Sequence, residues 1–270
     1  MDNTLRAIIL GVIEGLTEFL PVSSTGHMIL AMPWLGIDPI DPEPFWKAFL
    51  YFVQIGAILS VVIYFFRPLL RQIFAKPTRG WANHVAVKVF VGMIPGGVAG
   101  VLLNDVMDKY LEWEVPVALA LIVGGGAMWW IERKFRPETG PDVETMTLRQ
   151  ALIVGLCQCF AIIPGTSRSM ATIMGGLIVG LPAATAAQFS FYLAIPTLLG
   201  AGVLRVVKHP EALDGEHLGV MLIGFAVSFV VAWMAVAGFM RYVQSKSLVP
   251  FAVYRILLGA AVLGIWYLGK

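Results

Sequence analysis

A chain of 270 residues that is 58% hydrophobic and 13% charged, with a mean hydropathy of +0.80, cannot hide its apolar side chains in a soluble core, where about 25% charged residues are usual. It reads as an all-α polytopic membrane protein. The formal net charge of +2, divided among several loops, offers no basic face for nucleic acid.

The start, Met1-Asp-Asn-Thr-Leu-Arg6, lacks the basic region and small-residue cleavage site of a signal peptide, so the N-terminus is expected to stay in the mature chain. The first apolar region, 5–33, is broken at Pro21, inside Glu14-Gly-Leu-Thr-Glu-Phe-Leu-Pro-Val-Ser-Ser-Thr-Gly-His27. Ionisable groups at membrane depth are costly and by default signal function. A proline there leaves backbone groups unpaired, so the region predicts a broken or re-entrant helix pair rather than one kinked span. Glu14 and Glu18 share a helix face with Gly11 and Gly15, which allow close approach of another element. Two carboxylates this close do not both stay ionised unless a divalent cation, Arg168 or a shared proton joins them. A hard cation such as Mg2+ or Ca2+ suits carboxylate and phosphate oxygens. After Pro21 the chain restarts, and Ser23, Ser24 or Thr25 can cap a helix whose N-terminus receives an anion. His27 lies in its first turn, where an imidazole can take a proton from a serine or a water, give one to a leaving oxygen, or itself attack.

Three apolar stretches of spanning length follow, 46–66, 84–104 and 116–131, the last of them short against the roughly 20 residues a bilayer requires. The second broken region, 150–181, is interrupted at Pro164-Gly165, and Cys157 and Cys159 within it read as small packing residues rather than a disulfide or metal pair. Three more stretches, 184–205, 218–240 and 251–268, complete six predicted spans. The loops at 67–80, 132–149 and 241–250 hold Arg67, Arg71, Lys76, Arg79, Arg133, Lys134, Arg136, Arg149, Arg241 and Lys246, which assigns them to the cytoplasm. Loops 105–115 and 206–217, richer in acid, belong outside. The two broken segments then enter from opposite faces and meet near the midplane.

Opposed hairpins are what an inverted-topology repeat gives. Gly11, Glu14 and Pro21-Val-Ser-Ser echo Gly155, Gln158 and Pro164-Gly-Thr-Ser, at an offset of 143 or 144. The chain is therefore expected to be one membrane domain, 1–270, with repeat halves 1–135 and 146–270. In the second cluster Thr166 or Ser167 can cap the next helix, Arg168 offers a planar fork for phosphate oxygens, and Ser169 adds a hydroxyl. Carboxylates, hydroxyls, an imidazole, an arginine and two helix N-termini fit phosphoryl transfer on a membrane-borne substrate, which needs neutralised phosphate oxygens, an in-line nucleophile and a proton donor.

These two signatures, with Val53-Gln-Ile-Gly-Ala-Ile-Leu59, Gly92-Met-Ile-Pro95, Gln188-Phe-Ser-Phe191 and Pro250-Phe-Ala-Val-Tyr-Arg255, resemble the bacterial undecaprenyl-diphosphatase (undecaprenyl pyrophosphate phosphatase, bacitracin-resistance) family almost end to end. The resemblance implies hydrolysis of the C55 polyprenyl diphosphate carrier lipid to its monophosphate, in the bacterial cytoplasmic membrane, at a site opening to the outer face. It implies essential roles for Glu14, Glu18, His27 and Arg168, with hydroxyls such as Ser24 binding phosphate or attacking. It also implies two re-entrant hairpins in interleaved inverted repeats, in agreement with the six predicted spans. The chain departs from the family pattern at Leu50, Met170 and Gln188, where the family usually has an acidic residue, a glycine and an acidic residue. The residues leave the nucleophile open between Ser24, His27 and water, and leave open the metal, the lipid chain length and the oligomeric state, a homodimer included. A carrier of polyprenyl phosphate is the alternative, since such carriers share inverted repeats and midplane polar groups. A purely structural scaffold would leave the buried Glu, His and Arg unexplained.

Overall fold

The computed structural model describes residues 1–39, 42–75, 80–110, 114–208 and 217–268. Lys76, Arg79, Glu112, Glu211, Asp214 and Glu216 of the charged loops lie outside these residues. The described secondary structure is helical throughout, the form in which a chain in lipid satisfies its own backbone.

The first broken region folds as two helices, α1 (Asn3–Thr17) and α2 (Ser24–Trp34), rather than one kinked span. Next come α3 (Pro44–Tyr64), α4 (Phe66–Phe74), α5 (Val85–Tyr110) and α6 (Glu114–Phe135). The second broken region forms α7 (Leu148–Gln158), a 3-10 turn at Cys159–Ile162 and α8 (Arg168–Ile178), and the chain closes with α9 (Ala183–Lys208), α10 (Leu218–Val243) and α11 (Val249–Leu268). Among the described residues five helices are long and apolar enough to cross a membrane: α3, α5 over Val85–Leu103, α6, α10 and α11. The remaining expected stretch is also a single helix, α9.

Two boundaries differ from the sequence reading. The short stretch 116–131 is a longer helix, because Glu132, Arg133 and Lys134 continue its last turns, where basic groups complement the helix C-terminus. The loop expected over 67–80 contains α4. Phe66, Leu70, Ile73 and Phe74 recur at helical spacing opposite Arg67 and Arg71, an amphipathic pattern suited to a membrane interface.

Small residues set the closest helix contacts. A Cβ on Gly11 would stand 2.7 Å from the carbonyl of Gly224, and one on Gly15 would stand 2.6 Å from that of Ser228, so α1 lies directly on α10. In the same manner Gly155 of α7 lies on Gly92 of α5. Each broken segment thus packs on a long helix from the other half of the chain. Both cysteines are unpaired, and Cys157 fills the space beside Gly175, as a packing residue does.

The three basic loops gather at one end of the molecule. Gln72 Nε2 donates to Glu144 Oε1 at 3.1 Å, and Arg136 Nη2 donates to the Lys246 carbonyl at 2.7 Å. Buried Lys88 donates to the carbonyls of Val143 and Glu144 at 3.1 and 2.6 Å. Glu132 accepts from the backbone N–H of Leu248 at 2.8 Å and from Ser247 Oγ at 3.1 Å, and is paired with Arg136, so α6 caps the start of α11. At the other end Phe45 meets His217 at 4.5 Å between ring centroids. There Trp34, Glu114 and Trp266 line one cavity.

Candidate functional site

The two broken regions bend in the same way. Ser23 and Ser167 have φ of 74° and 70°, and are the non-glycine residues with positive φ among those described. Such a conformation costs about 1 to 3 kcal/mol. Each serine is the N-cap of the next helix, its Oγ accepting from the backbone N–H of Gly26 or Met170. Of the capping candidates the sequence offered, the structure uses Ser23 and Ser167.

The turns touch each other in the interior. Ser167 Oγ lies 3.0 Å from Ser169 Oγ, and Ser169, fully buried, donates to the Leu20 carbonyl at 2.8 Å. Arg168 at the head of α8 reaches Glu18 with Nη2 3.5 Å from Oε1, its guanidinium carbon 5.6 Å from the centre of the Phe19 ring. Its Nη1 donates to the Ser190 carbonyl at 3.1 Å, and Thr172 Oγ1 lies 2.6 Å from Ser190 Oγ, so α9 steadies the arginine from behind. Nε of Arg168 is buried and has no hydrogen-bond acceptor, and Nη2 beside it is held only by the long ion pair to Glu18. An open donor next to a loosely held one on a planar fork is what a bidentate oxyanion needs.

Glu18 joins the two clusters. Besides Arg168 it receives the Ser24 hydroxyl, with Ser24 Oγ 2.8 Å from Oε2. Glu14, one turn earlier and buried, lies within hydrogen-bond reach of Glu18 and of the Gln54 amide. Its Oε1 finds no donor. Oxygen ligands with a spare lone pair fit a hard divalent cation. Among the described residues no third His, Cys, Asp or Glu joins them, so phosphate oxygens and water would complete such a shell.

His27 is on the same helix end as Ser24 but does not face it. Nδ1 is 2.7 Å from the Ser23 carbonyl, which can only accept, so Nδ1 carries a proton; Nε2 is 2.7 Å from the Tyr254 hydroxyl. The rings of His27 and Tyr254 stack at 5.6 Å with 14° between planes. Thr25 is exposed at the rim and Thr166 is half-buried in the second turn, its N–H on the Ile163 carbonyl.

Glu14, Glu18, Ser24, Arg168 and the capping serines therefore converge, with His27 at the edge. Gln54, Thr172, Ser190, Tyr254 and Arg255 surround them and were not singled out as site residues in the sequence. Four of these fall in the shorter matching runs, but a lone polar residue within a span does not disclose what it touches. The three departures remove none of these contacts: Met170 keeps its N–H on Ser167, Gln188 donates to the Tyr192 hydroxyl at 2.9 Å, and Leu50 packs with apolar neighbours.

Comparison with known proteins gives a consistent answer. The profile of the family described as bacitracin resistance protein BacA matches residues 7–261. A protein of Polaromonas sp. named undecaprenyl-diphosphatase is 43% identical over 271 residues, covering 98% of this chain and 96% of its own. Undecaprenyl-diphosphatase 1 of Chromobacterium violaceum is 42% identical, covering 98% and 97%, and an undecaprenyl-diphosphatase of Pseudomonas fluorescens is 41% identical, covering 98% and 94%.

Proposed function

This chain belongs to the bacitracin resistance protein BacA family, and from that premise we propose that it is an integral membrane phosphatase that hydrolyses undecaprenyl diphosphate to the monophosphate and inorganic phosphate. The observation that carries the reading is the bridge Ser24–Glu18–Arg168, a hydroxyl on a carboxylate that also holds an arginine whose Nε is unpaired.

On this reading Arg168, with the N-termini of α2 and α8, binds the terminal phosphate through Nε and Nη2. Ser23, Thr25, Thr166, Ser167 and Ser169 shape the two anion-receiving turns. Ser24 Oγ attacks the terminal phosphorus while Glu18 takes its proton. The bond to the bridging oxygen breaks, and the lipid monophosphate leaves with that electron pair. Water then releases inorganic phosphate from the serine. We assign the attack to Ser24 because Glu18 holds its hydroxyl, whereas both nitrogens of His27 are engaged elsewhere. His27 exchanges a proton with the leaving oxygen through Nε2, giving up the Tyr254 hydroxyl as it does so. Glu14 and Glu18 would hold Mg2+ or Ca2+, which when bound neutralises charge on the phosphate oxygens.

Six spans with two re-entrant hairpins in one membrane domain, built from inverted halves 1–135 and 146–270, belong to the same proposal. Supporting it, Gln150 donates to the Val179 carbonyl at 2.9 Å, closing α7–α8 at the end where the basic loops meet. The first hairpin points the other way, since α1 runs alongside α10 from that helix's start and α2 ends beside Trp266. With the basic loops cytoplasmic, the first hairpin enters from outside. The site then opens to the outer face of the bacterial cytoplasmic membrane.

The test is phosphate release by the purified protein given undecaprenyl diphosphate, with Arg168→Ala and His27→Ala as controls. Release that needs Arg168 is expected; undiminished turnover in both variants defeats the site assignment. Movement of lipid phosphate across reconstituted vesicles with no hydrolysis would instead favour the carrier.

A further inference from the structure

Arg255 lies in the interior of α11, within a helix long and apolar enough to span a membrane, and is fully buried. A buried charge needs a partner, yet no carboxylate among the described residues lies within ion-pair distance of it. Its guanidinium instead donates to three backbone carbonyls: Nη1 to Pro21 at 3.5 Å, and Nη2 to Ala120 at 3.4 Å and to Gly165 at 3.0 Å.

The choice of carbonyls is the informative part. Pro21 and Gly165 each stand two residues before a serine cap with positive φ, Ser23 and Ser167. They occupy corresponding places in the two broken segments, 144 positions apart, the spacing that also relates the two serines. One side chain from a third element grips the same point of both turns. Among the described residues the other hydrogen bond between the turns runs from Ser169 to the neighbouring carbonyl, that of Leu20.

We propose that Arg255 is a positioning residue for phosphoryl transfer: by holding the carbonyls of Pro21 and Gly165 on one guanidinium, it fixes the spacing between the two phosphate-binding turns. For its link to the reaction this rests on the function proposed above. The fork matters more than the charge, because a lysine ammonium cannot span three carbonyls in fixed planar directions. Gly124 belongs to the same device. An added methyl there would stand 2.7 Å from Arg255 Nη2, so Gly124→Ala pushes the guanidinium off its carbonyls while leaving the charge in place.

The experiment compares Arg255→Lys, Gly124→Ala and Gly126→Ala, the last having no atom within 4 Å of its new methyl. Kinetics use undecaprenyl diphosphate. Nitroxide distances use Thr25→Cys with Ile163→Cys in a Cys157→Ser/Cys159→Ser background. Arg255→Lys is expected to lower kcat about 100-fold with KM within about threefold, as misplacement of about 1 Å does. Gly124→Ala should lower kcat about tenfold, both variants should broaden the distance between the turns, and Gly126→Ala should match the parent on every readout. If Arg255→Lys does not fold, Gly124→Ala decides alone. Full kcat in the folded variants, a loss confined to KM, or an unchanged distance distribution overturns the proposal. Should the parent protein hydrolyse no diphosphate, the function fails while the distances still decide the clamp.

Discussion

Ser24 and His27 sit three positions apart on one helix end and face different partners, and that difference separates their kinetic roles. Ser24→Ala removes the hydroxyl that Glu18 holds, so kcat should fall by about 10³-fold or more. His27→Ala should fall less at neutral pH and should abolish the limb of the pH profile that reports the imidazole. A rapid-quench search for phosphate on serine, absent from Ser24→Ala, checks the order; equal burst phosphate in both proteins would move the attack elsewhere. Chelation should lower activity, and restoring Mg2+ or Ca2+ should rescue the parent but not Glu14→Gln, whose neutral amide is a poorer ligand. Activity unaffected by chelation would remove the metal from the site. The costly residues Glu14, Glu18, His27 and Arg168 were legible in the sequence because charge in lipid must be explained. Ser190, Tyr254 and Gln54 were not, since a neutral polar residue in a helix has an ordinary explanation until its partner is seen.

The small-residue face shared by Gly11 and Gly15 sets how near the carboxylate-bearing helix comes to α10. Gly15→Val should therefore destabilise the fold by about 1 to 3 kcal/mol through overpacking against Ser228 and Ala232. Thermal unfolding in detergent measures it, and a midpoint equal to the parent's would show that α1 can shift without loss. Gly97→Ala, which meets nothing within 4 Å, is the matched control. Existence and type of the long helices followed from apolar length, and both broken regions followed from proline. The ends of α6 and the whole of α4 did not, because charged side chains can continue a helix into the interface and a nine-residue amphipathic helix is too short for a span criterion.

Across the molecule, the loops carrying Arg67, Arg136 and Lys246 contact one another through Gln72–Glu144 and Arg136–Lys246. Single cysteines introduced at Arg71 and Ser245 in a cysteine-free background should resist a membrane-impermeant maleimide in intact cells and react after permeabilisation, while one at Thr25 should react from outside. Labelling of the basic end from outside would invert the proposed orientation. The crossed packing has a consequence for synthesis. Gly11 meets Gly224 across 213 positions of chain (224 − 11), and contacts of such separation form late. While the ribosome is still making α10, the first hairpin has no seat, and Glu14 and Glu18 must wait in the translocon or at the membrane surface. A nascent chain arrested before residue 218 is therefore expected to leave that hairpin open to protease.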